Sequence, residues 1–536
     1  MNILSLHLGH DGAITVLAGD EIIVHHQLDR FNKFKYEFIP TFELLEKVKK
    51  LNIKIDKVVT TSMGIMDFPI WFFLKKFLNI TAEDIIEVNQ SDHHIFHALC
   101  AKHFFQLEKD FIIFVADGDG AEHFLKHPSP FLQGLNVVEN ESIYDDKLES
   151  IYKKYYSPKP LNYTTDKIRI HQSIGLGKGY QKLVYELGLE EHEEGKAMAL
   201  SSYGKLKEDL FKGFMFGDLW NINLLPHIQT KFDSKNSFNR FFLNPFINHL
   251  KKDSPSHDIV HTFQKAFESL YLSTLKKVDL KNKKIILTGG CAQNVLSNSN
   301  VARQLPNQIL ADPFNGDFGI SLGAALHFTT EKVKPLKHIC SGFDVDDDLI
   351  IFKDYKIKND VSTNYVAKLL SKEPVAIFSG KSEQGQRGLG FRSLLANPFT
   401  KDTLTQINKI KKREWYRPFA CTVLKEKANK YFDMGSIGES PYMMFVFKSK
   451  NVKLKNVCSP DGYSRIQTLE KSFHPKYYDL ISEFEKINKH PIVLNTSLNL
   501  PGHVLCETHH DLLKIFNNTA LNYCWLPDHK KLICRK

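Results

Sequence analysis

The chain of 536 residues lacks long apolar runs. Its best stretch, Phe111 to Ala116, has the length of a strand, whereas a membrane helix needs roughly 18 uninterrupted apolar residues. The first residues carry neither a positively charged segment nor a small-residue cleavage site. We therefore expect a cytoplasmic protein that does not contact a membrane.

Cysteine is also scarce, and it is scattered. The 8 cysteines include no CxxC pair, which argues against a disulfide framework or a structural zinc site and favours reduced thiols. Gly, Pro, hydrophobic and charged residues stand near ordinary levels, so disorder, collagen and coiled coil are excluded. The length predicts two or three folded domains.

The net charge of +10 is unevenly distributed. From Asp346 onward we count about 31 basic and about 20 acidic residues, against about 40 and about 41 before it. A basic region is typical of proteins that bind nucleic acid, an anionic membrane or phosphorylated small molecules, and Lys-rich surface drift is a further explanation. The acidic run Asp344 to Asp348 reads as a linker, so we predict domains at residues 1–345 and 346–536.

One device recurs in the first domain: an apolar strand that leads into a glycine-rich turn. Three strands joined by the Gly9 to Gly12 and Gly19-Asp20 turns open the chain. Phe111 to Ala116 leads into Asp117-Gly118-Asp119-Gly120, and Lys284 to Thr288 leads into Gly289 to Asn294. Such turns place backbone N–H groups and carboxylates where a nucleotide and its metal can bind. With predicted helices at Ser91 to Gln106 and Asp258 to Lys277, the pattern indicates an α/β fold with a nucleotide cleft.

His93 and His97 are four residues apart in a predicted helix and therefore share one face, where they can bind one metal ion. Asp117 and Asp317 are candidates for a third ligand. Nitrogen and carboxylate ligands suit Fe(II), Mn or Zn better than Mg alone. The alternative is a pair of exposed histidines on a surface helix.

The second domain carries cationic clusters among glycines. Gly380 to Ser393 contains Arg387 and Arg392, and further basic residues lie in Lys411 to Pro418 and Asp461 to Gln467. Glycine lets the backbone approach a ligand closely, and Arg binds phosphate or carboxylate with two parallel donors. These features favour an anion pocket over a nucleic-acid surface or a solvated face. Asn495 to Asn499 follows a strand and supplies uncharged hydrogen-bonding groups, either for a ligand or as a polar turn.

Taken together, these stretches resemble the O-carbamoyltransferases of nodulation-factor and antibiotic biosynthesis. The matching stretches, in chain order, are His10-Asp11, Asp29-Arg30-Phe31 with Lys35, His93 to Ala98, Asp117 to Gly120, Glu194 to Leu200 with Tyr203-Gly204, Gly289-Gly290 with Asn294, Asp317 to Gly319, the segment around Arg387, Lys411 to Pro418, Asp461 to Gln467 and Asn495 to Asn499.

The resemblance implies an actin-like ATPase (ASKHA), two-lobed N-terminal domain, like that of the tRNA threonylcarbamoyladenosine transferases, and an α+β, YrdC-like C-terminal domain. The C-terminal domain would make carbamoyl-adenylate from carbamoyl phosphate and ATP, with Mg accompanying ATP. The N-terminal domain would transfer the carbamoyl group to an acceptor hydroxyl. The basic charge of the C-terminal domain fits two phosphorylated substrates.

The same resemblance assigns roles to residues. By this resemblance, the residues that would bind ATP and carbamoyl phosphate are Arg387, Arg392, Lys411, Arg413, Arg417, Arg465, Asn495 and Ser497. The metal, iron(II) or another divalent ion, falls to His93, His97 and Asp317, with Asp117 as a further candidate. Carbamoyl-adenylate would lie against Asp117, Gly118, Gly120 and Asn294, with Lys35 reaching its charged part. His10 would take the proton of the acceptor hydroxyl.

The acceptor stays open. A sugar or natural-product hydroxyl leads, a hydroxymethylated base in DNA is the second reading, and tRNA threonylcarbamoylation or a non-catalytic nucleotide-binding scaffold are further alternatives. A homodimer is also left open. Acceptor specificity is expected in Asn140 to Arg169 and Phe211 to Asp253, which match no motif.

Overall fold

The computed structural model describes residues 1–33, 35, 39–62, 69–88, 92–118, 120, 122–159, 161–190, 192–221, 256–336, 338–346 and 348–536. Asp119, Asp347 and most of the predicted acceptor segment Phe211 to Asp253 lie outside these residues. The chain forms two compact units: unit 1 comprises Met1–Asn89, His103–Gln106 and Gly316–Lys536, and unit 2 comprises Gln90–Lys102 and Leu107–Asn315. These units cut the chain differently from the predicted boundary at 345/346, which stays a prediction.

The first part of unit 1 is a mixed sheet in the order β3-β2-β1-β4-β5. Its elements are β1 Asn2–His7, β2 Ala13–Ala18, β3 Glu21–Gln27, α1 Asp29–Asn32, α2 Phe42–Lys50, β4 Lys57–Thr61, α3 Pro69–Phe77 and β5 Ile85–Glu87. The first three strands run antiparallel, as their glycine turns predict, and β4 and β5 run parallel to β1. Leu4, Leu6, Ile14 and Val16 are buried in the core of this part.

Unit 2 is built on a second mixed sheet, in the order β10-β11-β9-β8-β6-β14-β15 with β7 beside β8. Its elements are α4 His93–Phe105, which ends in unit 1, β6 Phe111–Ala116, β7 Glu122–Phe124, β8 Asn136–Tyr144, β9 Ser150–Tyr156, β10 Tyr163–Thr164, β11 Ile168–His171, α5 Leu176–Glu186, α6 Glu194–Ser201, α7 Glu208–Phe214, β12 Met215–Phe216, β13 Leu219–Trp220, α8 Ser256–Leu275, β14 Lys284–Thr288, α9 Val295–Gln304 and β15 Ile309–Ala311. Every residue of β6 is buried, because this central strand is covered on both faces. Asn140 to Arg169 contributes to β8, β9, β10 and β11 on one side of the sheet, where β11 runs parallel to β9 and the other pairs are antiparallel.

The remainder of unit 1 forms a third mixed sheet, in the order β16-β25-β24-β17-β18-β23-β19-β22-β21-β20. It begins with α10 Ile320–Phe328, which packs on β1, β2 and β4 of the first sheet. The elements of the third sheet and its helices are β16 Lys356–Lys358, α11 Thr363–Leu370, β17 Val375–Phe378, β18 Arg392–Ala396, α12 Thr403–Lys411, β19 Ala420–Leu424, α13 Ala428–Tyr431, β20 Phe432–Asp433, β21 Val446–Ser449, β22 Tyr463–Leu469, α14 Pro475–Asn488, β23 Ile492–Ser497, α15 His509–Asn518, β24 Tyr523–Leu526 and β25 Lys531–Cys534. The apolar faces of α11 and α14 pack on this sheet through Val366, Leu370, Leu480 and Phe484.

Short 3-10 turns complete the described elements, at Ala82–Asp84, Gly290–Gln293, Asp317–Gly319, Ile350–Phe352, Lys425–Lys427, Val452–Val457 and Pro527–His529. Helices packed on mixed sheets confirm the predicted α/β class. Within the described ranges, no helix combines the length and the apolar character needed to cross a bilayer.

Candidate functional site

In unit 2, two imidazoles and a carboxylate meet at the end of the central strand. Asp117 directly follows β6, and its Oδ2 lies 3.0 Å from Nε2 of His93 and 3.4 Å from Nε2 of His97. Both histidines lie in the first turns of α4, four residues apart as predicted. His97 and Asp117 are buried and His93 is half-buried. The predicted pairing of the histidines on one helix face is confirmed.

This trio, named the histidine–carboxylate group, has the donors that a divalent transition metal binds. Two imidazole nitrogens and one carboxylate oxygen converge within a few ångströms, and such N,O sets suit Fe, Mn or Zn. The surrounding backbone fixes the second carboxylate oxygen, since Oδ1 of Asp117 accepts hydrogen bonds from the N–H groups of Gly118 at 2.7 Å and Gly290 at 3.0 Å. The donor set therefore fits a resident divalent metal.

The glycine turn after β14 is what lets the backbone reach Asp117. Gly289 has φ 81°, and a Cβ there would lie 2.4 Å from the carbonyl oxygen of Ala116. A Cβ on Gly290 would lie 2.7 Å from Oδ1 of Asp117. Only glycine gives this conformation and approach without strain, so the turn holds the Asp117 carboxylate from the neighbouring parallel strand.

The residues predicted to hold carbamoyl-adenylate surround this turn. A Cβ on Gly118 would meet nothing within 4 Å, so this backbone borders open space that a ligand can approach. Gly120 instead packs against the chain, because its N–H donates to the carbonyl of Glu139 at 2.6 Å. Asn294 caps α9 by accepting from Ser297 N–H at 3.1 Å, and its amide pairs with that of Gln264. The ligand-binding role of Asp117, Gly118, Gly120 and Asn294 stays a prediction.

In unit 1, the β1–β2 turn presents His10 beside a carboxylate. The side chain of His10 is 56% exposed, and its Nε2 lies 3.3 Å from Oδ2 of Asp317, which is buried. Burial raises the pKa of the adjacent Asp11 carboxyl to about 7, against the opposing charge of His10 and with repulsion from Asp29 and Asp317. An exposed imidazole backed by a carboxylate is the arrangement of a general base. The predicted role of Asp317 as a metal ligand stays a prediction.

Six cationic residues of unit 1 influence one another's ionisation and form what we name the cation cluster. Its members are Lys35, Arg387, Lys411, Arg413, Arg417 and Arg465. All except the exposed Lys35 are buried or half-buried. The structure therefore brings together the predicted phosphate-binding cations of three separate sequence segments, together with Lys35 from the N-terminal region.

Electrostatic repulsion inside the cation cluster is considerable. Burial lowers the pKa of Arg387 to about 10 and that of Arg413 to about 9, and the positive charges of other members add to both shifts. The pKa values of Lys411 and Arg465 are lowered well below their ordinary values, again first by burial and then by neighbouring cations. Like charges that repel in a half-buried space are stabilised when a polyanion binds among them.

Backbone contacts hold these cations in place. The Lys411 ammonium donates to the carbonyls of Ser497 at 2.7 Å and Asn499 at 3.1 Å. Arg413 donates to the carbonyl of Pro418 at 3.0 Å and to Oγ1 of Thr496 at 3.4 Å. The end of β23 and the polar turn after it therefore anchor Lys411 and Arg413 of the cation cluster.

The prediction that Arg392 binds phosphate is wrong. Its side chain is fully buried, and its guanidinium donates to the carbonyls of Ser379 at 2.7 Å, Gly380 at 2.8 Å and Phe391 at 3.0 Å. The guanidinium carbon also lies 3.5 Å from the centroid of the Phe378 ring. Carbonyl acceptors and an aromatic face hold the two terminal nitrogens and the plane of this guanidinium, so Arg392 braces the strand β18 instead of meeting a ligand.

Asn495 and Ser497 of β23, both predicted to bind the substrates, also differ in their surroundings. The side chain of Asn495 is buried and donates to Oγ1 of Thr422 at 2.9 Å and to Gln467 at 3.4 Å. Ser497 is half-buried and donates to Oδ1 of Asn499 at 2.7 Å, beside Lys411. Ser497 therefore lies against the cation cluster, and Asn495 lies inside the sheet. Their binding roles stay predictions.

The sequence interpretation missed Glu383, which organises the loop that carries Arg387. One carboxylate oxygen of Glu383 accepts from the N–H groups of Leu389 at 2.6 Å, Phe391 at 2.9 Å and Arg392 at 3.3 Å. An acidic residue within a glycine- and arginine-rich stretch was the available signal, since a buried carboxylate there needs several donors.

A model described as Carbamoyltransferase N-terminus matches residues 72–326, and one described as Carbamoyltransferase C-terminus matches residues 366–531. The uncharacterized protein MJ1051 of Methanocaldococcus jannaschii is 30% identical over 369 residues, which cover 64% of this chain and 69% of that protein. The chain belongs to the carbamoyltransferase family. It is a carbamoyltransferase enzyme.

Further relatives of this carbamoyltransferase are more distant in identity but aligned over longer stretches. Nodulation protein NolO of Bradyrhizobium diazoefficiens is 27% identical over 465 residues, which cover 80% of this chain and 77% of that protein. Among solved structures, the activator of the 2-hydroxyisocaproyl-CoA dehydratase from Clostridium difficile covers 61% of this chain and 94% of its own, with 14% identity and a TM-score of 0.34.

Proposed function

We propose that this carbamoyltransferase is ATP-dependent, makes carbamoyl-adenylate from carbamoyl phosphate and ATP, and transfers the carbamoyl group to an acceptor hydroxyl. The observation that carries the proposal is the cation cluster. Five of its six cations are buried or half-buried, and neighbouring positive charges lower the pKa of Arg387 and Arg413, which suits small polyphosphates better than the backbone of a nucleic-acid duplex.

In the first half-reaction, the cation cluster would bind the phosphates of both substrates. Carbamoyl phosphate loses phosphate to water, an oxygen of the resulting carbamate attacks the α-phosphorus of ATP, and pyrophosphate leaves. Negative charge grows on the departing pyrophosphate, so cations already fixed by backbone contacts stabilise it without rearranging. Lys411 is the best-anchored member, through the carbonyls of Ser497 and Asn499.

In the second half-reaction, His10 would take the proton of the acceptor hydroxyl. The acceptor oxygen attacks the carbamoyl carbon, the bond to the phosphate oxygen breaks, and AMP leaves. Asp317, 3.3 Å from Nε2 of His10, would stabilise the imidazolium that results. His93, His97 and Asp117 would hold a divalent metal, iron(II) by the family resemblance, whose chemistry is to polarise a ligand oxygen.

For the acceptor, we propose a hydroxyl of a sugar or natural product. Nodulation proteins are among the relatives of comparable length, which supports a small hydroxylated acceptor. A hydroxymethylated base in DNA is the second reading of the sequence. The salt dependence of acceptor binding distinguishes the two acceptors, because binding to DNA weakens steeply as salt rises whereas binding of an uncharged sugar does not.

The test is to incubate the protein with ATP, carbamoyl phosphate and Fe(II) without an acceptor, and to measure pyrophosphate and carbamoyl-adenylate by mass spectrometry. We expect both products from the wild type and neither from Arg417→Ala. Lys409→Ala, an exposed cation on α12 outside the cation cluster, is the matched control and should behave as wild type. A folded wild type that makes no carbamoyl-adenylate would refute the proposal.

A further inference from the structure

Arg30 lies in the Asp29-Arg30-Phe31 motif and has no role of its own in the chemistry proposed above. It lies in α1, is 4% exposed, and sends its guanidinium towards the loop that carries Arg387. Its Nη2 donates to the carbonyl of Gly385 at 2.8 Å and lies 3.5 Å from that of Glu383. The same nitrogen contacts Oε1 of Gln27 at 2.5 Å, so the guanidinium is held on its own side as well. A buried arginine of the N-terminal region thus holds two backbone carbonyls of the C-terminal region.

A second contact joins the same two segments. The N–H of Gln27, at the end of β3, donates to Oε1 of Gln384 at 2.9 Å, and both side chains are buried. The amide of Gln384 also donates to Oγ of Ser382 at 3.0 Å. Three consecutive residues, 383 to 385, are therefore held by residues 27 to 30.

The other end of the loop that carries Arg387 is held by hydrogen bonds from residues of the same region of the chain. The Glu383 carboxylate accepts from the N–H groups of Leu389 and Phe391, and the amide of Gln467 donates to the carbonyl of Leu389 at 2.9 Å. Residues 386–388 remain between the two held ends, and they present Arg387. We name residues 383–391 the arginine loop.

The arginine loop needs such restraint because its arginine lies in a repulsive field. Burial and the charges of Arg413 and Arg417 lower the pKa of the Arg387 guanidinium. A loop free to relax would carry Arg387 away from like charges into solvent, since guanidinium is stabilised there. Contacts that do not involve the cation cluster itself must therefore hold the loop against this repulsion.

We propose that Arg30 is a positioning residue for carbamoyl-adenylate formation: by holding the arginine loop it keeps Arg387 in the cation cluster. Anion binding by C-terminal residues then depends on side chains from the first thirty residues of the chain. The proposal rests on the function proposed above, but anion binding can be tested without any turnover.

The experiment compares wild type, Arg30→Ala, Arg387→Ala and the double variant, with inorganic pyrophosphate as the probe in isothermal titration calorimetry. We expect Arg30→Ala to weaken pyrophosphate binding roughly tenfold. We expect the double variant to bind no more weakly than Arg387→Ala, because Arg30 acts through Arg387. In the acceptor-free assay, Arg30→Ala should raise the KM for ATP and carbamoyl phosphate and lower the rate of carbamoyl-adenylate formation, and Arg30→Lys should restore part of both losses.

Lys47→Ala is the matched control, because Lys47 also joins the N-terminal region to a later segment, through Asp346 at 3.2 Å, without touching the arginine loop. It should bind pyrophosphate as wild type does. Wild-type affinity in Arg30→Ala, or additive losses in the double variant, would overturn the proposal. If Arg30→Ala does not fold, Gln384→Ala replaces it in the same comparison with Arg387→Ala and the corresponding double variant. A wild type that binds pyrophosphate but forms no carbamoyl-adenylate would defeat the proposed function and leave this inference standing.

Discussion

The cation cluster of unit 1 and the histidine–carboxylate group of unit 2 are two polar sites that differ in their internal electrostatics. In unit 2, His93 and His97 converge on one carboxylate, and Gly118 and Gly290 supply N–H donors to it. In unit 1, like charges converge and lower one another's pKa, and backbone carbonyls hold them. The first group is complementary within itself, whereas the second becomes complementary only with an anion.

This difference indicates how each site selects a ligand. The histidine–carboxylate group offers fixed donors at metal-ligand spacing, so geometry governs what it binds. The cation cluster gains most from a compact, highly charged anion, because each added negative charge relieves repulsion as well as forming hydrogen bonds. Salt should therefore weaken ligand binding at the cation cluster more than at the histidine–carboxylate group.

The largest effect should come from Asp117→Asn. The amide oxygen can still accept from the N–H groups of Gly118 and Gly290, so the turn should persist while the charged ligand is lost. The affinity for the metal should fall by more than the roughly 10–100-fold that loss of an outer-shell partner costs. Metal content after dialysis, measured by mass spectrometry, should fall with it. Pyrophosphate binding should not change.

Asp209→Asn removes an exposed carboxylate of unit 2 and serves as the control. Unchanged metal content in Asp117→Asn would show that the metal ligands lie elsewhere, and the contrast between the two sites would then lose its basis.

Next in size should be the effect of Arg417→Gln on the cation cluster. The charge of Arg417 contributes to the lowered pKa of Arg387, Arg413, Lys411 and Arg465, although its own guanidinium also pairs with the Glu414 carboxylate at 3.0 Å. Loss of one charge-assisted contact should weaken pyrophosphate binding roughly tenfold to hundredfold. Metal content should stay at the wild-type level, and a simultaneous loss of metal would mean that the two sites are not independent.

Gly289→Ala should destabilise unit 2 by distorting the turn beneath Asp117. Its positive φ and the 2.4 Å approach of a Cβ to Ala116 predict a loss of about 2 kcal/mol in the free energy of unfolding. Gly188→Ala shares the positive φ, 72°, but has open space around its Cβ, so about 1 kcal/mol is expected. Urea unfolding measures both, and equal losses would show that the contact with Ala116 contributes nothing.

The smallest effect should be the pH dependence contributed by Lys411. Its pKa in the folded chain lies well below the ordinary 10.5, so between these values the unfolded chain binds more protons. Stability must then rise with pH, by at most about 1.4 kcal/mol per pH unit for one group. Wild type should gain stability relative to Lys411→Met as the pH is raised from about 8 to about 10.

Lys409 lies on the exposed face of α12, so the free energy of unfolding of Lys409→Met should change with pH as that of the wild type does over the same range. A wild type that loses stability relative to Lys411→Met on going to alkaline pH would show that Lys411 is stabilised in its charged form, contrary to the repulsion argued for the cation cluster.

Local features of both sites could be predicted because they depend on short-range geometry. His93 and His97 share a helix face through their spacing, and Asp117 ends a buried strand as its apolar run predicts. Asp317 could not be placed beside His10, because 307 residues separate them and only the packing of the β1–β2 turn on the 3-10 turn at Asp317–Gly319 joins them.

The sequence by itself determined which chemical groups are present and which turns deliver them: imidazoles at helical spacing, carboxylates after strands, and arginines among glycines. Only the tertiary structure decided which of these groups lie together and which are enclosed by the protein's own acceptors. Arg387 and Arg392 lie in one glycine-rich stretch, yet the pairing of β18 with β17 buries Arg392 against Phe378 and the carbonyls of Ser379 and Gly380. The reason is physical: a guanidinium can be buried only where several acceptors converge, and that convergence arises from strand register and long-range packing.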